Sequence, residues 1–248
     1  MTAILRRSSR FPRRNIARAL VLALMVFGVV KLTTGTSHAV QFCNTNPITT
    51  PFLVEPGTAT PYPSPITVSG LVGTITDVNV TLLSMDTQGD NNSPPQHWAE
   101  DNDVMVSSPA GTGVILMSDA GGDNDTSSGP VVDVGLNFDD QAANQLPADT
   151  HLSGGASSLT ITVRPVDDDD DVADGPDEWD APAPAPVGTA LSAFNGQNPN
   201  GTWNLWITDD VQQATATFGG WCVDILTTGG SSSTSTSTST STSTSTST

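Results

Sequence analysis

The sequence predicts an all-β protein, a jelly-roll-like antiparallel β-sandwich of about eight strands followed by a disordered Ser/Thr tail. Three observations predict it: short runs of alternating apolar and polar residues recur, helix signals are nearly absent, and clusters of Gly, Pro, Asn and Asp separate the runs. The expected strands are residues 66–71, 75–83, 104–106, 114–117, 132–138, 159–163, 203–207 and 221–225. In the second of these Val78, Val80 and Leu82 share one face, as a strand with one side on a core requires. Runs of this length and spacing suit two packed sheets.

The ends of the chain stand apart from this pattern. Arg6, Arg7, Arg10, Arg13, Arg14 and Arg18 precede an apolar run at 19–30 that leads to Ser37-His38-Ala39, a small-x-small cleavage signal. Residues 1–39 therefore read as a secretory signal peptide, since the apolar run is too short for the ~20 residues of a spanning helix. A secreted or cell-surface protein is expected, with no membrane span after cleavage. Residues 40–228 hold the domain, and the short stretch between Ala39 and Ile66 leaves no room for a catalytic domain upstream. Residues 229–248 are Gly and Ser followed by alternating Ser and Thr, a linker or stalk with nothing apolar to bury.

Removing the signal peptide sharpens the charge. Of the 8 basic residues only Arg164 lies after Ala39, whereas all 26 acidic ones do, which leaves a net charge of −25. Such a surface cannot neutralise phosphates, so nucleic acid and anionic lipid are excluded as partners, while cations remain open. The two cysteines, Cys43 and Cys222, lie near the two ends of the domain and are expected to pair in an oxidising compartment. Closing so long a loop is worth about 5 kcal/mol on the chain-entropy account.

One stretch states the fold locally. In "FNGQNPNGTWNLWITDD", 194–210, Asn198-Pro199-Asn200-Gly201 supplies an X-Pro turn and an Asn-Gly pair that tolerates positive φ. The corner feeds a strand in which Trp203, Leu205 and Ile207 share a face, worth roughly 5–8 kcal/mol of burial before entropy is subtracted. With "FGGWCVDI", "DNDVMVSSPAGTGVILMSDAGGDN" and "FDD", this stretch resembles the P domain (P/Homo B domain) of subtilisin-like proprotein convertases, in its bacterial stand-alone form. The resemblance runs over about residues 66–225. It implies a jelly-roll sandwich without catalytic activity, a stabilising module of the kind found beside serine endopeptidases. The loop "PVDDDDDVADGPDEWD" is more acidic than that resemblance implies.

Direct tests for chemistry agree. A Ser-His-Asp triad needs a histidine base, yet the domain's histidines are His97 and His151, both in polar loops, and no serine sits in a nucleophile elbow. Neither histidine has a second ligand at zinc spacing. Asp139-Asp140, Asp209-Asp210 and Glu100-Asp101 are adjacent pairs, which on a strand point to opposite faces and make poor glycosidase dyads. No catalytic residue is assigned.

Calcium is the better chemistry, because Asp/Asn/Gly loops supply the hard oxygens it takes. Asp101 and Asp103 precede one strand, Asp119 and Asp123 follow the next, and Asp139 with Asp140 ends a third, so these six are the expected ligands if consecutive hairpin ends meet. The acidic run 167–180, nine acids in fourteen positions, lacks EF-hand order. Solvated acidic loops are the alternative. The expected function is a secreted, calcium-stabilised, non-catalytic module, whose partner is a secreted peptidase or a cell-surface component. Two other readings stay open: an accessory to a separately encoded peptidase, and a carbohydrate-binding or adhesive module with Trp98 and Trp179 as contacts.

Overall fold

In the computed structural model the residues described are 38–51, 57–89, 99–122, 131–148, 150, 152, 159–168, 179–210 and 214–229. The rest, including nearly all of the expected signal peptide, Asp123, His97, Trp98, His151 and most of the Ser/Thr tail, lie outside the described residues.

All eight expected strands are present. They are β4 (Ser64–Val68), β5 (Ile75–Gly89), β6 (Asn102–Ser107), β7 (Gly113–Met117), β8 (Val134–Phe138), β9 (Leu159–Val163), β10 (Gly201–Asp209) and β12 (Gly220–Thr227). Four more join them: β1 (Val40–Asn44), β2 (Ile48–Thr49), β3 (Gly57–Thr58) and β11 (Ala214–Phe218). A 3-10 helix, Leu191–Phe194, precedes the corner.

The strands form two sheets. One runs β1-β12-β5-β11-β2, with β8 also paired to β5 and β9 to β8; the other runs β3-β10-β6-β7, with β4 on β10. Every ladder is antiparallel except β8 with β9, which is parallel. The length of β5 has a local cause. Ser84 takes φ 49°, the register with β8 shifts between Leu82 and Met85, and beyond the shift β5 changes partner from β12 to β11. This is what a bulge does to a long strand: it bends, and each half serves a different neighbour.

A single buried cluster joins the two sheets. From the seven-stranded sheet come Val78, Val80 and Leu82 of β5, Leu136 and Phe138 of β8, and Trp221, Val223 and Ile225 of β12. From the five-stranded sheet come Ile66, Val104, Val106, Val114 and Leu116, together with Trp203, Leu205 and Ile207, which share one face of β10 as the sequence predicts. At one open side the sheets are tied by polar bonds: buried Ser64 accepts from Trp221 Nε1 (3.2 Å) and Asn44 Nδ2 (3.1 Å).

The corner works as an anchor. Asn200 makes paired bonds with the backbone of Leu71, Nδ2 to O at 2.9 Å and N to Oδ1 at 3.0 Å, and Trp203 Nε1 donates to Pro199 O at 2.9 Å. Gly201 is required there, since at φ 137° a Cβ would stand 2.7 Å from Pro109. Phe194 meets Trp203 edge to face at 5.0 Å.

Cys43 and Cys222 are bonded, directly opposite one another in the β1–β12 ladder with Cα atoms 4.1 Å apart. The bond staples an edge strand to its neighbour within one sheet. It also closes the 179-residue separation on which the sequence estimate rests.

Replacing Trp203 by Ala removes a fully buried indole and its edge-to-face partner contact. Urea unfolding of this variant is expected to show a loss of about 3–5 kcal/mol. A loss below about 1 kcal/mol, within the range of surface substitutions, would contradict the anchoring role.

Candidate functional site

The strand ends sort the acidic residues into two groups. At one end, the register of β6 with β10 sets Asn102 opposite Asp209 and Asp103 opposite Thr208, while β7 delivers Ser118 and Asp119 beside them. Asp101 and Asp103 are 2 % exposed and Asp209 is 0 % exposed. Ser118 Oγ donates to Asp103 Oδ1 (2.8 Å) and lies 3.3 Å from Asp119 Oδ2. Thr208 Oγ1 reaches Asp103 Oδ2 at 3.4 Å, and Asp210 N donates to Asp101 O at 3.2 Å. Asp168 N donates to Ser118 O at 3.3 Å, which brings the start of the acidic run to the same end.

Asp101, Asp103 and Asp119 are thus brought together, and Asp209 and Asp210 join them. Nothing local in the sequence announces the last two; their place follows from the pairing of strands about a hundred residues apart. Asp139 and Asp140 do not join. The antiparallel pairing of β8 with β5 sets Val134 opposite Met85 and Phe138 opposite Val80, so β8 ends near the start of β5. There Asp140 caps the 3-10 helix, accepting from Leu191 N (3.0 Å) and Ser192 N (2.8 Å), and Asp139 Oδ1 accepts from Gln141 N at 2.7 Å. These are turn and cap bonds of the kind Asp makes for purely structural reasons.

Among the described residues no group of three or more His, Cys, Asp and Glu side chains is arranged to hold a metal ion. The fit to calcium at the Asp101 end is therefore one of donor chemistry: hard carboxylate oxygens, three of the side chains nearly fully buried, with hydroxyl groups alongside.

At the other end Asp77 stands beside Asp139 and Asp140. Partial burial first, and then the two neighbouring carboxylates, raise its carboxyl above the usual range. Turned with its amide nitrogen towards them, Gln141 donates to Asp77 Oδ1 (3.1 Å) and Asp139 Oδ1 (3.0 Å). The domain's one cation serves structure here as well. Arg164 Nη1 donates to the carbonyls of Ala142 (2.7 Å) and Ala143 (2.9 Å).

A third region carries aromatics on the outer face of the five-stranded sheet. Trp206 is 3 % exposed beneath Tyr62, which meets it edge to face at 5.0 Å and donates through its hydroxyl to Asp180 O at 3.0 Å. Burial, and then the nearby Asp180 carboxylate, push the Tyr62 phenol up to about 12. Trp179 is half-buried, with its indole nitrogen shielded from solvent.

Comparison with known proteins adds one finding. The family model of the proprotein convertase P-domain matches residues 157–225, a segment that carries β9, the 3-10 helix, the corner and β10 to β12. The resemblance read from the corner and from "FGGWCVDI" is borne out over that segment. A search of curated proteins and a search of solved structures each return no match.

Two titrations follow. A carboxyl raised in the native state favours folding while protonated; that contribution is complete below the ordinary value of 3.8 and disappears as pH climbs through the raised one. Asp77→Asn is therefore expected to be more stable than the parent at neutral pH, with the difference fading in acid; equal or lower stability at neutral pH would contradict the clustering. Tyr62 is the only tyrosine, so its absorbance change in alkali reads one group. A native midpoint near 12 is expected, and one near the ordinary 10.0 would contradict its packing against Trp206.

Proposed function

We propose that the protein is a secreted, non-catalytic P-domain-like module, stabilised by calcium, that serves as a stabilising or interaction domain of the kind associated with subtilisin-like serine endopeptidases. The P-domain match over residues 157–225 carries this reading, because it falls on the strands that supply the core tryptophans and the corner. A two-sheet sandwich supports it as a scaffold, presenting loops at both ends on a rigid body.

Calcium acts here by charge. The residues that would hold it are Asp101, Asp103 and Asp119, with Asp209 and Asp210 beside them and backbone carbonyls or water completing the hard-oxygen set. Asp123, the other expected ligand of that hairpin, lies outside the described residues. When bound, the ion neutralises buried carboxylates at the point where β6, β7 and β10 end. The protein's own contribution is to hold those carboxylates through Ser118 and Thr208. Secretion follows from the arginine-rich, apolar leader, and the disulfide suits an oxidising compartment. Among the described residues no helix is long and apolar enough to cross a membrane.

The test is thermal unfolding of the purified chain in millimolar calcium and in chelator, with an assay against denatured protein run in parallel. Calcium is expected to raise Tm by several degrees, as ligand linkage requires of a site occupied only in the native state. Asp101→Asn with Asp103→Asn should abolish most of the shift, and Asp139→Asn with Asp140→Asn should leave it intact. No calcium shift would remove the metal from the account, and cleavage of protein substrate by the pure chain would remove the non-catalytic reading.

A further inference from the structure

The two stretches that carry the resemblance, "SSPAGT" at the β6–β7 turn and "NPNGTWNLW" at the corner, meet on the outer face of the five-stranded sheet. Between them lies an open groove of about 600 Å³. It is lined by Ser107, Thr202, Asn204 and Trp206 of the sheet and by the prolines Pro109, Pro182 and Pro184. Gln197 sets the turn against the corner: its Oε1 accepts from Ser108 Oγ (2.7 Å) and its Nε2 donates to Thr112 Oγ1 (3.0 Å). The groove lies at the end of β6 and the start of β10, away from the Asp101 rim.

We propose that this groove binds a neutral oligosaccharide. Charge makes the first selection. Among the described residues none of the groove's lining side chains is charged, although the domain carries 26 acidic side chains. An anionic ligand would find no cation there, and a basic peptide would find no carboxylate. Backbone availability makes the second selection. A peptide that adds a strand needs an unpaired strand edge, but β10 is bonded to β6 on one side and to β4 and β3 on the other.

Aromatic exposure makes the third selection. Proline-rich helices dock between exposed aromatic rings, whereas the one aromatic ring among the described lining residues, Trp206, is closed beneath Tyr62 and its Nε1 is engaged by Ser107 Oγ at 2.9 Å. What the groove does offer is a half-buried amide and hydroxyls beside rigid pyrrolidine rings. The side chains of Asn204, half-buried, and Thr202, exposed, make no hydrogen bond to any described residue. Donors and acceptors in one neutral, preformed cleft match the hydroxyls of a sugar, and the proline faces match its C–H surface. This site is separate from the Asp101 rim, and Trp179 is not among its described lining residues.

Isothermal titration of the purified full chain with cellohexaose, mannohexaose and chitohexaose tests the assignment. Saturable binding of at least one of them is expected, unchanged by chelator. Asn204→Ala and Thr202→Val should each weaken it about tenfold, the effect of one lost hydrogen-bonding group. Thr162→Val, on the other sheet, should not weaken it. Asn204 and Thr202 are outside the core, and urea midpoints equal to the parent's will show that the variants are folded. Absence of binding by all three sugars at millimolar concentration overturns the proposal. Binding that survives both substitutions also overturns it, as does binding of a decaproline peptide at this groove in place of the sugars.

Discussion

The structure depends on one strand being held with its inner face against the opposite sheet. Strand β10 does this with Trp203, Leu205 and Ile207, all buried, and the chain reaches that orientation only by turning sharply at 198–201. The turn is tied at three points: Asn200 to Leu71, the Trp203 indole to Pro199, and Phe194 against the indole ring. A slip of one residue would send Trp203 outward and Asn204 inward, exchanging the core with the groove lining. The corner and the strand are therefore one device.

Charge is distributed around that device with a consistent logic. Alternation along the strands keeps carboxylates out of the core, so they collect where strands end. The two collections differ in kind: at the start of β5, Asp139 and Asp140 are consumed by turn and cap bonds, whereas at the start of β6, Asp101 and Asp103 are buried with Asp209 close by. Arg164, the one Lys or Arg after Ala39, is bonded to the carbonyls of Ala142 and Ala143, in the first of these regions. Against so acidic a chain, the groove between the β6–β7 turn and the corner stands out for its uncharged described lining.

Much of this was legible before any coordinates. Strands with large apolar residues at every second position, such as Val78-Val80-Leu82 and Trp203-Leu205-Ile207, announce themselves by period alone. Strands β2 and β3 are two residues long, and β11 alternates Thr with Ala, so their periodicity has little amplitude. The cysteine pairing followed from count and compartment. The candidate ligand set was only half legible. Asp101, Asp103 and Asp119 sit on one hairpin and stay neighbours in any antiparallel fold, but placing Asp139 and Asp140 with them requires knowing which way β8 runs against β5. Asp209 enters for the same reason that Asp139 leaves: strand register is a long-range property, invisible in a local motif.

The most direct test of the central claim is amide and indole hydrogen exchange of the native protein, read residue by residue. If β10 is the element on which both sheets close, the amides of Trp203, Leu205 and Ile207 and the Trp203 indole proton exchange only with global unfolding, among the slowest in the chain. Exchange of these sites at rates typical of the loops, with other strands protected, would show that the sandwich holds together without the corner and its tryptophan.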